Sequence, residues 1–283
     1  MNSIEKAMER LNRERSIASG RDVVTPLSMA DSKASTKPQF APESKAKLQL
    51  NFKALMGAGY LTPNTMQGDL AEEYRLLKRP LLMNASDRQD AQLKYGNLIV
   101  ITSALPGEGK TFISLNLAMS IALERDNTVL LIDSDFTRRS LTGLVGLNDA
   151  LGLTDVLLNP QLGLHDVIVS TNVPKLSLIP AGQTHRDATE LLASAQMQAM
   201  ACELSARYSN RIVLFDAPPL LSTSQTIVLT TLMGQILVVV EEGKTPQPVI
   251  QEAVSLLDED KVIGMVLNKC QRSFGSKYYG SYY

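Results

Sequence analysis

Between an apolar run, Leu98-Ile-Val-Ile-Thr102, and a stretch of helical character that opens at Lys110 lies Ala104-Leu-Pro-Gly-Glu-Gly-Lys110-Thr111. A strand, a glycine-bearing loop and a helix in that order constrain the chain more than any other feature. The backbone N–H groups of Gly107, Gly109 and Lys110 can point into one concavity at the start of a helix, where a phosphate is favoured. Glycine suits such a loop because the chain turns through positive φ and the anion must approach the backbone closely. This is the Walker A pattern, with Ala104 where its first glycine usually stands. Pro106, Gly107, Glu108, Gly109, Lys110, Thr111 and Phe112 are therefore the candidate ATP-binding residues. Lys110 would neutralise the β- and γ-phosphates and the Thr111 hydroxyl would ligate Mg²⁺.

The same alternation continues downstream. Strands are expected over 98–102, 129–133, 176–180, 212–216, 236–240 and 262–267, and helices over 110–125, 149–158, 188–207 and 246–258. Strands apolar on both faces, alternating with helices, imply an α/β fold: a doubly wound, mostly parallel sheet flanked by helices, of the P-loop NTPase type. Two expected strands end in carboxylates, at Asp133-Ser-Asp135 and at Asp216-Ala-Pro-Pro. Ligands of open α/β sheets sit beyond the carboxyl ends of strands, so these groups should converge on the phosphate loop. Asp at a strand end also caps ordinary turns, and each one alone is ambiguous. With Thr111, Asp133 and Asp216 form the candidate metal set.

Upstream, 69–83 reads as a helix with Leu70, Tyr74, Leu77 and Leu81 at helical spacing, and Pro80 should kink or divide it. The chain is accordingly divided into a short amphipathic helix (1–18), a Ser/Ala/Lys/Pro linker (19–47), a P-loop domain (48–268) and a Tyr-rich mobile tail (269–283). The first helix is read as a docking element for another protein. A net charge of −1 argues against a chain whose main business is coating nucleic acid. Cys202 and Cys270 lie far apart without metal-ligand spacing, which fits a reducing cytoplasm. The first residues carry charges where a secretory leader would be apolar, and no apolar run nears the ~20 residues of a spanning helix. Membrane contact is expected only through a partner.

Four of the eight tyrosines close the sequence, Tyr278, Tyr279, Tyr282 and Tyr283, in a Gly/Ser-rich stretch that also holds Lys277. Aromatic tails can also serve adhesion or stacking. Tyrosine at all four positions favours a use for the phenol.

These motifs together resemble the bacterial tyrosine kinases of exopolysaccharide synthesis, most closely the exosortase-associated tyrosine autokinases, over about residues 60–283. The resemblance implies three nucleotide motifs, here Ala104–Thr111, Asp133–Asp135 followed by Arg138, and Ile212–Asp216. It implies catalytic roles for Lys110, Asp133, Asp135 and Arg138, and autophosphorylation at the four terminal tyrosines by a neighbouring subunit. The family usually continues the Asp-x-Asp motif into two arginines and a proline. Here Asp135-Phe-Thr-Arg138-Arg139-Ser keeps one arginine in register. Its ring-forming helix motif matches Glu72 and Arg75, with Lys78 in place of a second arginine, whose bidentate fork a lysine lacks. Asn268, after the last strand, corresponds to a base contact, or to a plain turn. The resemblance further implies a homo-oligomeric ring, a membrane chain-length-determinant (polysaccharide co-polymerase) protein as activator, and recruitment from the cytoplasm to the inner face of the membrane. The implied activity is a non-specific protein-tyrosine kinase using ATP and Mg²⁺. Two other classes stay open: a partition or cell-division ATPase, disfavoured by Leu105 where those proteins carry a lysine, and a nucleotide-gated adaptor without catalysis.

Overall fold

The computed structural model describes residues 47–86, 94–207 and 210–270. All lie in the second of two compact units, Ser44–Tyr283, the first being Met1–Glu43. The expected helix 1–18, all of the expected linker but Lys47, and the four terminal tyrosines lie outside the described residues.

Helices α1 (Phe52–Gly57) and α2 (Asp69–Ser86) precede the first strand, β1 (Leu98–Ser103). Then follow α3 (Lys110–Ala122), β2 (Thr128–Asp133), α4 (Ser140–Leu144), α5 (Leu153–Leu158), α6 (Leu164–Val167), β3 (Val169–Ser170) and β4 (Leu176–Ile179). The remainder is α7 (Ala188–Leu192), α8 (Ala195–Ala206), β5 (Arg211–Asp216), α9 (Ser224–Thr231), β6 (Gln235–Glu241), α10 (Gln247–Ser255) and β7 (Val262–Asn268). The seven strands form one sheet in the order β3-β4-β2-β5-β1-β6-β7, parallel throughout except for the β3–β4 pair. The expected α/β architecture is present.

Every residue of β1 is buried, because its two faces feed two different cores. Leu98 and Val100 pack with Phe215, Met197 and Leu229 on one side. Ile99 and Ile101 pack with Tyr74, Leu81, Leu115 and Met119 on the other. Each such side chain contributes about 1.5–3 kcal/mol by leaving water, so the central strands fix the register of the sheet. Asp133 and Asp216 are direct partners across β2 and β5, which brings both acidic strand ends to one place.

Three local expectations are corrected. Pro80 does not divide α2, which runs on to Ser86. Tyr74, Leu81 and Ala85 bury on both sides of it, and the Gln235 amide donates to the Leu81 carbonyl (3.0 Å), so packing outweighs the lost hydrogen bond. The expected single helix over 188–207 is two, broken where Ser194 turns extended and its hydroxyl accepts from Met197 N–H at 3.1 Å. The helix expected from 149 begins at Leu153, because Leu153 and Thr154 donate their N–H groups to Pro180 and Ala181 instead.

Candidate active site

The phosphate loop is shaped by its φ angles and by a latch from the last strand. Gly107 and Gly109 adopt φ of 88° and 97°, a region that costs residues with a Cβ. Ala104 has no positive φ and is wholly buried, so a glycine is not required there. Glu108 was expected to face nucleotide; the structure turns its carboxylate inward, where it accepts from Leu105 N–H (2.6 Å) and from the Thr245 hydroxyl. Asn268 Nδ2 donates to the Glu108 carbonyl (2.8 Å), and a Cβ on Gly109 would lie 2.1 Å from that nitrogen. Lys269 Nζ donates to the Gly107 carbonyl (2.7 Å) and pairs with Glu241 (3.1 Å). In this arrangement Asn268 holds the loop through the Glu108 carbonyl, and its amide nitrogen is engaged there.

A cleft of about 320 Å³ opens beyond this loop, lined by Gly109, Lys110, Thr111, Asp135, Arg138 and Asp216 among others. Burial pushes the Lys110 ammonium below its ordinary value, against the pull of Asp216 and Asp135. Asp216 accepts from the Thr111 hydroxyl (2.7 Å) and the Ser114 hydroxyl (3.0 Å). Burial, with Asp133 beside it, still raises Asp216 to about 7. Asp135 lines the cleft and accepts from the N–H groups of Thr137 (3.2 Å) and Arg138 (2.9 Å).

Asp133 stands differently. It does not line the cleft, and its carboxylate accepts from Thr142 N–H (2.8 Å), the Thr142 hydroxyl (2.7 Å) and Asp135 N–H (3.1 Å). Burial lifts it to about 6. The catalytic and metal roles expected of Asp133 would need it to leave Thr142. Arg138 and Arg139 also part: Arg138 lines the cleft, whereas Arg139 takes φ of 52° and donates to the Asn148 carbonyl.

Among the described residues no group of three or more His, Cys, Asp or Glu is arranged to hold a metal. A Mg²⁺ bound together with phosphates needs only one or two protein oxygens and keeps several waters. Thr111 and Asp216, hard oxygen donors 2.7 Å apart at the cleft, meet that requirement.

A family model described as an AAA domain matches residues 96–249. Tyrosine-protein kinase YwqD of Bacillus subtilis (strain 168) is 30% identical over 210 residues, which cover 74% of this chain and 84% of YwqD. The chain belongs to the bacterial tyrosine-protein kinases. Tyrosine-protein kinase ptk of Acinetobacter johnsonii is 36% identical over 179 residues, 62% of this chain, yet the match spans only 24% of that longer protein. The kinase domain of the Escherichia coli tyrosine kinase ETK superposes with a TM-score of 0.62 at 27% identity, over 74% of this chain and 80% of that one.

In this tyrosine-protein kinase family member the helix α2 needs a correction. Glu72 and Arg75 are exposed and pair at 2.6 Å, and Arg75 also donates to the Met66 carbonyl (2.8 Å). Lys78, expected on the assembling face, is buried: its ammonium donates to the Ser120 carbonyl (2.8 Å) and pairs with Glu124 (2.6 Å). It fastens α2 to the end of α3, and a long flexible stem allows that inward reach. Sequence reasoning missed Tyr60, which lines the cleft and meets the Phe112 ring at 5.0 Å. It also missed Ser114 and Thr142. Ser114 lies one turn after Thr111 on α3, so helical spacing gives it away. Nothing local announces Tyr60 or Thr142.

Proposed function

We propose that this chain is an ATP-dependent protein-tyrosine autokinase. It transfers the γ-phosphoryl group to Tyr278, Tyr279, Tyr282 and Tyr283 of a neighbouring copy, and the transfer regulates exopolysaccharide synthesis, chain length or export. The observation that carries this reading is the convergence of Lys110, Thr111, Asp135, Arg138 and Asp216 on one cleft, in a chain that also bears four clustered tyrosines.

A phenol with pKa near ~10 is protonated at neutral pH, so attack requires a group to take its proton. Asp135, on the cleft wall, is the base this geometry favours; Asp133 takes that role only after releasing Thr142. The phenolic oxygen forms its bond to the γ-phosphorus while the bond to the bridging β–γ oxygen breaks. ADP leaves with that electron pair and the carboxylate keeps the proton. Lys110 and Arg138 offset the charge on the phosphoryl and leaving oxygens, and the loop N–H groups hold the remaining phosphates in line. Mg²⁺, when held by Thr111 and Asp216, supplies further neutralisation of the phosphate oxygens.

The non-specific kinase class, the ring made through Glu72 and Arg75, and a membrane chain-length-determinant partner as activator are parts of the same proposal. That no helix among the described residues is long and apolar enough to cross a membrane is compatible with recruitment by such a partner.

Incubation with γ-labelled ATP and Mg²⁺ tests the reading. The wild type should label itself, while Lys110→Met and a chain lacking residues 278–283 should not. Hydrolysis of ATP without label on the protein would favour a partition-type ATPase. Nucleotide binding with neither outcome would favour an adaptor.

A further inference from the structure

Two successive carbonyls of the phosphate loop, those of Gly107 and Glu108, are held by the end of β7. Lys269 Nζ donates to the first at 2.7 Å and Asn268 Nδ2 to the second at 2.8 Å. A trans peptide is planar, with its C=O and N–H pointing opposite ways. Fixing these two carbonyls therefore also fixes the N–H groups of Glu108 and Gly109, which share their planes. Both N–H groups turn away from the donors of β7, and among the described residues neither has a protein acceptor. That leaves them to an anion in the cleft that Gly107 and Gly109 line.

We propose that Lys269 is a positioning residue for the nucleotide. Acting through the Gly107 carbonyl, it aims the loop N–H groups at the phosphates and ties the grip on nucleotide to the conformation of the end of β7. This goes beyond the kinase reading, since it concerns any nucleoside di- or triphosphate in the cleft.

Lys269 reaches its place against the preference of its own backbone. Its φ of 60° is left-handed, a region that disfavours residues with a Cβ. The ammonium is anchored by Glu241 at 3.1 Å, and Lys244 pairs with the same carboxylate at 3.3 Å. The Glu241 side chain is only 12% exposed and that of Lys244 67%, so the carboxylate is a fixed post with one solvated partner. The hydrogen bond from Lys269, with Lys244 adding to it, holds the Glu241 carboxyl below its ordinary value, so it stays charged at neutral pH. A cation on a carbonyl polarises the whole peptide, which makes the Glu108 N–H a stronger donor toward phosphate. The turn after β6 completes the clamp, because the Thr245 hydroxyl donates to the Glu108 carboxylate.

The test compares Lys269→Met, Lys269→Arg, Lys269→Gly and Lys244→Met in the full chain. Calorimetry reads the affinity for Mg²⁺–ADP, steady-state phosphorylation reads kcat and the KM for ATP, and thermal melting without nucleotide reads stability. Lys269→Met should weaken ADP about tenfold, the size of one hydrogen bond to a charged group. It should raise the KM for ATP more than it lowers kcat, and Lys269→Arg should bind ADP close to the wild type. Lys269→Gly relieves the left-handed φ, so it should melt no lower than the wild type yet bind ADP as weakly as Lys269→Met. A residue that served stability alone would not part those two readouts. Lys244→Met removes the same charge from the same carboxylate but touches no loop carbonyl, so ADP affinity should stay within about twofold. Unchanged ADP affinity in Lys269→Met overturns the proposal. So does equal weakening by Lys244→Met, which would make the effect one of net charge. A wild type that binds ADP yet never labels itself removes the kinase reading and leaves the clamp to the ADP results.

Discussion

Gly109 and Tyr60 line the same cleft by different means. Gly109 is set first by its neighbours in sequence, through a left-handed φ and a helix start beside it, and then by Asn268 of the last strand, pressed so close that only a hydrogen fits. Tyr60 is set from a distance, through Leu61 N–H on Asn116, 55 residues away, and the ring of Phe112. The phosphate wall is thus a local device braced by tertiary contacts, and the aromatic wall is tertiary from the outset. Phosphates always present the same oxygens, so a short backbone motif can bind them.

Substitutions on each wall sharpen that contrast. The largest effect is expected for Lys110→Met: autophosphorylation falls on the order of a hundredfold or more, because a charge aimed at the transferring group is gone. Thermal unfolding should show no loss of stability, since the ammonium sits in the cleft at a desolvation cost. Next is Gly109→Ala, which combines φ of 97° with a 2.1 Å clash. It should cost about 2 kcal/mol in denaturant unfolding and weaken ADP, while Ala104→Gly costs under ~1 kcal/mol. A large loss at Ala104 would mean that the loop is not set by its φ angles.

On the other wall, Asn116→Leu leaves the buried Leu61 N–H without its acceptor and should cost about 1–2 kcal/mol. Its signature is a loss in denaturant unfolding with ADP binding retained. Loss of ADP binding as well would show that the two walls are one unit.

The paired strand ends predict a smaller, pH-dependent effect. Asp133 and Asp216 are raised to about 6 and about 7 by burial, above the ordinary carboxylate value near ~4. The folded chain therefore binds more protons than the unfolded one between roughly pH 4 and 7. Stability without nucleotide is fully present below that window and falls as pH rises through it. Melting curves at several pH values should show the decline, Asp216→Asn should flatten it, and Mg²⁺–ADP should offset it at the alkaline end. A flat profile would mean that these carboxyls are better solvated than their burial implies. Smallest of all, Arg75→Ala removes an exposed ion pair worth at most about 1 kcal/mol and should leave the melting temperature almost unmoved. Its effect, if Arg75 joins subunits, is on sedimentation.

Much of the fold was legible because buried parallel strands are apolar on both faces, and Leu98–Ser103 or Arg211–Asp216 can hardly be anything else. Boundaries inside helices were less so. Pro80 reads as a break, yet tertiary packing carries α2 through it, and Ser194 reads as helix, yet its hydroxyl caps a new one. Lys78 shows the same limit at a charged residue. Its position on α2 matches a surface motif, but its long stem turns inward to Ser120 and Glu124.

The sequence alone determined the parallel sheet, the phosphate loop and the two acidic strand ends, since backbone conformation and strand burial depend on residues adjacent in the chain. Only the tertiary structure decided that Asp135 and Arg138 reach the cleft while Asp133 and Arg139 turn away, and that Tyr60 forms its wall. Which way a side chain points depends on the partners that other segments offer it, here Thr142, Asn148 and Phe112, and no local pattern specifies those.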